Sequence, residues 1–254
     1  MKIVVCIKRA AALGDDVELR PDGRDVDPDY LDFALNEADS YAVEEALRLR
    51  DELGGEVVVA TFGDEEAQEA LVGCLVMGAD RAVRVWSQSV TSTDPISVAR
   101  ALTDVARREE PDLVLCGVQS ADFAHGATGT ALAAFLDLPS AVVAKKLEVD
   151  ALTGRAVVHC ELEGGLVDVV DIALPALVTI QTGINEPRYG TIREKMRARR
   201  AAIELVEPAD DVEPAARVRE MSVHENKGKR AQMLGGSQAE IAERLVELIA
   251  EVKS

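Results

Sequence analysis

The sequence predicts a doubly wound α/β domain with a mostly parallel sheet, an antiparallel hairpin extension, and a C-terminal arm ending in a helix. Three observations lead there. Short β-branched runs at 3–7, 57–61, 82–85 and 112–116 are bounded by Gly, Pro or charge and are too short for independent helices. Segments of helical periodicity alternate with them, which implies parallel strands joined by right-handed crossovers, with both faces of the sheet covered. At 254 residues, 48% hydrophobic and 29% charged, the chain is long enough for one such domain with appendages.

In chain order, "MKIVVCIKR" is a strand-length run followed at once by charge, not a signal peptide. The helix over 40–53 gathers Val43, Ala46, Leu47 and Leu53 on one side and stops at Gly54, a left-handed terminator. A second runs from about Glu65 to Met77 and stops at Gly78. A third opens on Asp94-Pro95, an N-cap with proline at the first helical position, and continues through Val98, Ala101, Leu102 and Val105. A fourth follows Gly126. After Leu138-Pro139 the segments 141–149, 155–162 and 166–172 alternate polar and apolar around "DALTG" and "EGG", which read as hairpin turns. The run from Leu174 begins as a buried strand and passes into the elaborate "NEPRYGTI". Residues 206–218, acidic and Pro-rich, read as a linker. Ser237 and Glu240 form a capping-box pattern ahead of Ile241, Leu245, Leu248, Ile249 and Val252, a helix with one apolar stripe. The expected division is 1–205 for the nucleotide-binding domain, including a loop at 184–196, and 206–254 for linker and arm.

Charge and composition exclude several classes. A net charge of −18 repels nucleic acid and anionic membranes, and 3% aromatic content supplies no set of stacking rings for single-stranded nucleic acid. No apolar run is long enough to span a bilayer. Cys6, Cys74, Cys116 and Cys160 lack zinc spacing and read as small buried residues in a reducing compartment, so the expected location is cytoplasmic.

Sequence motifs of phosphate-loop, dinucleotide, nucleophile-elbow and metalloprotease type are absent. In a doubly wound sheet the ligand sits beyond the carboxyl ends of the strands where the winding reverses. If the first and fourth strands flank that point, the crevice is built by "KRAAALGDD" and "GVQSADFAHGATG". The second loop carries Gly117, Gly126 and Gly129 with Ser120, Thr128 and Thr130, and leads into a helix whose free N–H groups suit phosphate. Turn glycines alone account for that composition equally well; position at the switch point favours a nucleotide. Of His125, His159 and His224, only His125 lies in this loop. The basic run Arg193, Lys195, Arg197, Arg199, Arg200 is either a solvated helix end or a patch that steers a partner.

Taken in order, "VVCIKRA", "NEADSYAVEEALRL", "MGADRAVRV", "PDLVLCGVQSAD", "HCELEGGL" and "LPALVTIQTGINEPRYGTIREKMRARR" resemble the small (β) subunit family of electron transfer flavoproteins. The resemblance implies an electron carrier, not an enzyme, in a heterodimer with a large (α) subunit that carries FAD in a mobile domain. It implies AMP in the small subunit, or a second FAD in the electron-bifurcating group; a free-standing adenine-nucleotide sensor is the other alternative. The implied partners are flavin dehydrogenases such as acyl-CoA dehydrogenases of fatty acid oxidation, and a quinone oxidoreductase as acceptor. By the same match, Cys6, Asn36, Asp39, Phe62, Gln119, Asp122, Gly126, Thr128, Gly129 and Thr130 would contact the nucleotide. Asn185, Glu186, Pro187, Arg188, Tyr189 and Ile192 would dock partners, with Ile192 as the apolar anchor. Glu161 would pair with an arginine of the large subunit, and Leu13 stands where some members place a tyrosine toward the flavin.

Overall fold

In the computed structural model, residues 1–13, 17–87, 94–208, 220–222 and 233–253 are described; most of the expected linker lies outside them. The chain forms two compact units, Met1–Met221 and Ser222–Ser254. The strands of the first unit are β1 (Lys2–Cys6), β2 (Arg9–Leu13), β3 (Leu31–Leu35), β4 (Glu56–Phe62), β5 (Arg81–Val85), β6 (Leu113–Gly117), β7 (Ser140–Asp150), β8 (Arg155–Glu161), β9 (Val167–Ala173), β10 (Ala176–Ile180) and β11 (Glu204–Val206). Its helices are α1 (Glu37–Leu53), α2 (Gln68–Met77), α3 (Pro95–Glu109), α4 (Thr128–Leu136) and α5 (Ile192–Ala198). The second unit contains α6 (Gln238–Lys253), which opens on a reciprocal Ser237/Glu240 cap: the Ser237 N–H donates to Glu240 Oε2 at 2.8 Å, and the Glu240 N–H donates to Ser237 Oγ at 3.4 Å.

The sheet runs β11-β5-β4-β1-β6-β10-β7-β8-β9. Every pairing from β11 to β7 is parallel, and β7-β8 and β8-β9 are antiparallel, as the change to alternating sequence after Pro139 predicts. The continuous apolar runs of β4 and β10 are buried because both of their faces are covered. On one side Val43, Leu47 and Leu71 of α1 and α2 pack on Ile3, Val57 and Leu113; on the other, Ala99, Leu102 and Leu132 of α3 and α4 pack on Val4, Val58 and Val114. The chain winds outward from β1 to β4 and β5, then returns through α3 to β6 on the opposite flank of β1. The reversal therefore falls between β1 and β6, where the sequence places it.

Four elements differ from expectation: β2, β3, β11 and α5. Arg9–Leu13, read as loop, pairs antiparallel with Leu31–Leu35 in a separate two-stranded ribbon. Its Ala-rich sequence has little strand preference of its own, so distant pairing sets its conformation. Three-residue β11 exists by pairing with the edge of β5. Ile192 opens α5 instead of ending a loop, because the Thr191 Oγ accepts the Glu194 N–H at 3.3 Å while the Glu194 carboxylate takes the Thr191 N–H.

Candidate functional site

The first turn of α1 ties together the loops that leave β1 and β6. Asn36, at the N-cap, spends its amide across the crevice: Nδ2 donates to the Gln119 carbonyl at 3.0 Å, and Oδ1 accepts the Ala121 N–H at 3.1 Å. Asp39, only 5% exposed, accepts the Lys8 N–H at Oδ2 and the Gly117 N–H at Oδ1, both at 2.8 Å. A Cβ at position 117 would come within 2.5 Å of that Oδ1, so the clamp requires glycine there. Burial pushes the Asp39 carboxyl up to about 6, against the two N–H bonds that favour its charged form.

Above the clamp, Lys8 Nζ pairs with Asp122 at 2.6 Å and reaches Ser120 Oγ at 3.3 Å. Burial would raise the Asp122 carboxyl, but bonds from Lys8 and Ser120 outweigh it and hold the group below the usual carboxylate range. Together these loops enclose a cleft of about 460 Å³ whose opposite wall carries Phe62 and Trp86, ring centroids 5.6 Å apart. The Arg9 guanidinium lies 4.0 Å from the Phe33 ring centre and pairs with Glu66 at 3.0 Å; its Nε makes no hydrogen bond but is ion-paired with Glu69 at 3.7 Å. Also lining the cleft, α4 begins at Thr128 with no side-chain cap on its N-terminal N–H groups. Gly129 lets this helix approach the strand ends, since a Cβ there would meet Cys116 Sγ at 2.6 Å and the Thr179 methyl at 2.8 Å.

Cys6, Asn36, Asp39, Phe62, Gln119, Asp122, Gly126, Thr128 and Gly129 all line this cleft. Thr130 does not; it faces outward and its hydroxyl donates to the Ala127 carbonyl. Lys8, Arg9, Phe33, Trp86 and Phe123 line it as well; the sequence places Lys8, Arg9 and Phe123 in the crevice loops without marking them as site residues, and misses Phe33 and Trp86. The signal for Lys8 and Arg9 was "KR" at the end of the first strand, where the switch point puts whatever follows into the crevice. The thiols offer no nucleophile: burial raises Cys6 to about 12 and Cys116 well above its ordinary value. Among the described residues no cluster of His, Cys, Asp or Glu is arranged to hold a metal ion.

A family model described as "Electron transfer flavoprotein domain" matches residues 26–211. The electron transfer flavoprotein subunit beta of Methylophilus methylotrophus is 43% identical, with 100% of this chain and 99% of that protein covered. The mitochondrial subunit beta of Oryza sativa subsp. japonica is 35% identical over 96% and 97%, and the subunit beta of Homo sapiens 32% over 99% and 98%. This chain belongs to the electron transfer flavoprotein subunit beta family.

In this family member the residues read as partner-docking separate into fasteners and presented groups. Asn185 Nδ2 donates to the Tyr41 carbonyl at 3.0 Å and to Glu45 Oε2 at 2.8 Å. Arg188 grips buried Glu44 with Nε at 2.8 Å, Nη2 at 3.0 Å and its backbone N–H at 3.1 Å, and reaches Asp51 with Nη1 at 3.0 Å. Burial pushes the Glu45 carboxyl up despite the Asn185 bond. Gly190 lies against the end of α2, where a Cβ would collide with the Val76 side chain and carbonyl. Held in this way, the segment shows Tyr189 at 96%, Ile192 at 79% and Met196 at 57% exposure, with Glu186 also outward and Pro187 half-buried. Ile192 and Met196, one turn apart on α5, line a shallow groove with Arg193, Arg197 and Arg200. Glu161, at the end of β8, is half-buried beside Lys145 Nζ at 3.6 Å and Gln181 Nε2 at 3.4 Å. No described helix is long and apolar enough to cross a membrane.

Proposed function

We propose that this chain is the small subunit of a heterodimeric electron carrier that takes electrons from flavin dehydrogenases and delivers them to an acceptor such as a quinone oxidoreductase. The observation that carries this reading is the docking segment. A free-standing nucleotide sensor has no use for an isoleucine that is 79% exposed, ringed by arginines and mounted on a segment locked to two buried glutamates. Burial of that side chain in a partner's apolar pocket would contribute roughly 1.5–3 kcal/mol. The surrounding cations would speed encounter with an acidic surface in a salt-dependent way.

The cleft fits an adenine nucleotide. The uncapped start of α4 supplies donors for phosphate, and Phe62 with Trp86 supplies an apolar wall for a ring. AMP is the proposed occupant, with a structural role. The redox chemistry belongs to FAD, held mainly by the large subunit. Glu161 is the proposed partner of an arginine on the large subunit, and residues 206–254 are the proposed arm that grips it. Co-expression with the large subunit, followed by denaturation and chromatography, should release FAD and AMP in equal amounts. Two FAD and no AMP would replace this with an electron-bifurcating subunit; a monomer without nucleotide would overturn both.

A further inference from the structure

Strand β7 departs from regular pairing along both of its edges. Val143 has a φ of 59°, a left-handed conformation that a β-branched residue adopts only under constraint. The constraint comes from β10: the Val143 N–H donates to the Oγ1 of buried Thr179 at 2.9 Å. Against β10, Val178 faces Ala141 and Ile180 faces Ala144, so β7 carries one extra residue there. Against β8, Ala144 faces Cys160 and Lys146 faces His159, so Lys145 is the extra residue. A bulge of this kind re-aims the side chain it inserts. Lys145 and Lys146 are consecutive and both exposed, yet they find different partners: Lys146 pairs with Glu148 at 3.0 Å, and Lys145 reaches Glu161 Oε2 at 3.6 Å. Gln181, whose N–H donates to the Ala144 carbonyl at 3.0 Å, brings its side-chain Nε2 to the same Glu161 oxygen at 3.4 Å.

Both contacts on Glu161 are long, and the Lys145 and Glu161 side chains are each 41% exposed, so the carboxylate is oriented without being locked. A guanidinium arriving from solvent offers two parallel, shorter hydrogen bonds that a single ammonium cannot match. We propose that Lys145 is a positioning residue for Glu161: an internal counter-ion that aims the carboxylate and, by competing with the arginine of the large subunit, limits the fraction of time the flavin-carrying domain is held there. The inference rests on the reading of Glu161 as that arginine's partner and names what sets the strength of the pairing.

The test uses the heterodimer with an acceptor dye attached through a bio-orthogonal side chain at position 152, where Leu152 is 99% exposed in the β7–β8 turn. Energy transfer from the large subunit's flavin to the dye, read from flavin fluorescence lifetimes, reports the ratio of domain orientations. Lys145→Met keeps the aliphatic stem and removes the charge. It should raise the Glu161-held orientation about two- to fivefold, the range an exposed ion pair commands, and the difference from the parent should shrink as salt is added. Glu161→Gln should lower that population, and Lys145→Met in the Glu161→Gln background should change nothing further. If Lys145→Met lowers the held population, leaves it unchanged while Glu161→Gln moves it, or shifts it equally in the two backgrounds, the role of Lys145 is overturned and the reading of Glu161 stands. If Glu161→Gln leaves the ratio as it was, that reading falls and the proposal with it.

Discussion

Arg188 and Ile192 lie four positions apart in one segment, and their surroundings assign them opposite work. Arg188 faces inward onto Glu44 and Asp51, whereas Ile192 faces solvent at the first position of α5. Replacement of Arg188 by Ala leaves the buried Glu44 carboxylate without its bidentate partner. The expected cost is about 1–3 kcal/mol, toward the lower end because the guanidinium is itself partly exposed. Melting of the Arg188→Ala complex should therefore come several degrees early. Ile192→Ala should melt as the parent does, yet require about tenfold to a hundredfold more carrier to reach the same rate of reduction by the cognate dehydrogenase. Early melting of the Ile192 variant would show instead that the side chain serves the loop's own packing. From sequence Ile192 stands apart as an aliphatic anchor among charges, whereas Arg188 reads as one more docking residue; only the position of α1 turns it inward.

At the next level up, α1 serves both sites. Its first turn, through Asn36 and Asp39, sets the spacing of the cleft walls, and its later turns, through Glu44, Glu45 and Asp51, hold the proposed docking segment. The helix was legible because its apolar positions repeat at 3.6 residues and Gly54 ends it, with φ 73°. The double duty of its polar face was not, since nothing local marks Glu44 and Glu45, and it is the strand after β9 that leads Asn185 and Arg188 to them. The same limit hid β2, β3 and β11, whose conformations come from partners far along the chain. By contrast α6 announces itself through its capping box and its stripe. Proposed as an arm, it gives a direct expectation: truncation after Glu207 should weaken association with the large subunit in sedimentation equilibrium while the shortened chain keeps a cooperative thermal unfolding transition. Association at full strength would make α6 dispensable to the heterodimer.

Across the whole molecule, the central clamp ties stability to pH. The Asp39 carboxyl titrates at about 6 in the fold against an ordinary value of 3.8, so between those limits the folded chain binds a proton that the unfolded chain does not. Its contribution is complete below the ordinary value and is lost as pH rises through about 6, by roughly 2–3 kcal/mol in total. Many carboxylates titrate in a chain of this charge, so the comparison is with Asp39→Asn. The variant lacks the titration and has one fewer acceptor for the Lys8 and Gly117 N–H groups. The parent's melting temperature should fall between pH 5 and pH 7 by more than the variant's does, and parallel curves would refute the assignment. Charge also acts at longer range: a surface with net −18 that concentrates arginines beside Ile192 should dock more slowly as salt is added.

The strands and helices of the parallel core, the turn to antiparallel pairing after Pro139, and the reversal between the first and fourth predicted strands were all readable from periodicity and from Gly and Pro punctuation. These are local properties, carried by neighbouring residues along the chain. The motifs from "VVCIKRA" to "NEPRYGTI" were equally readable as a family resemblance, and nine of the ten residues it assigns to the nucleotide line the cleft. Which of those residues brace it and which face into it was not readable. Asp39 and Asn36 clamp two loops, Lys8 and Arg9 enter the crevice, and Arg188 turns inward while Ile192 turns out. Each of these outcomes depends on hydrogen bonds between residues dozens of positions apart, and a buried polar group takes whatever partner the packing of the sheet and helices brings within reach.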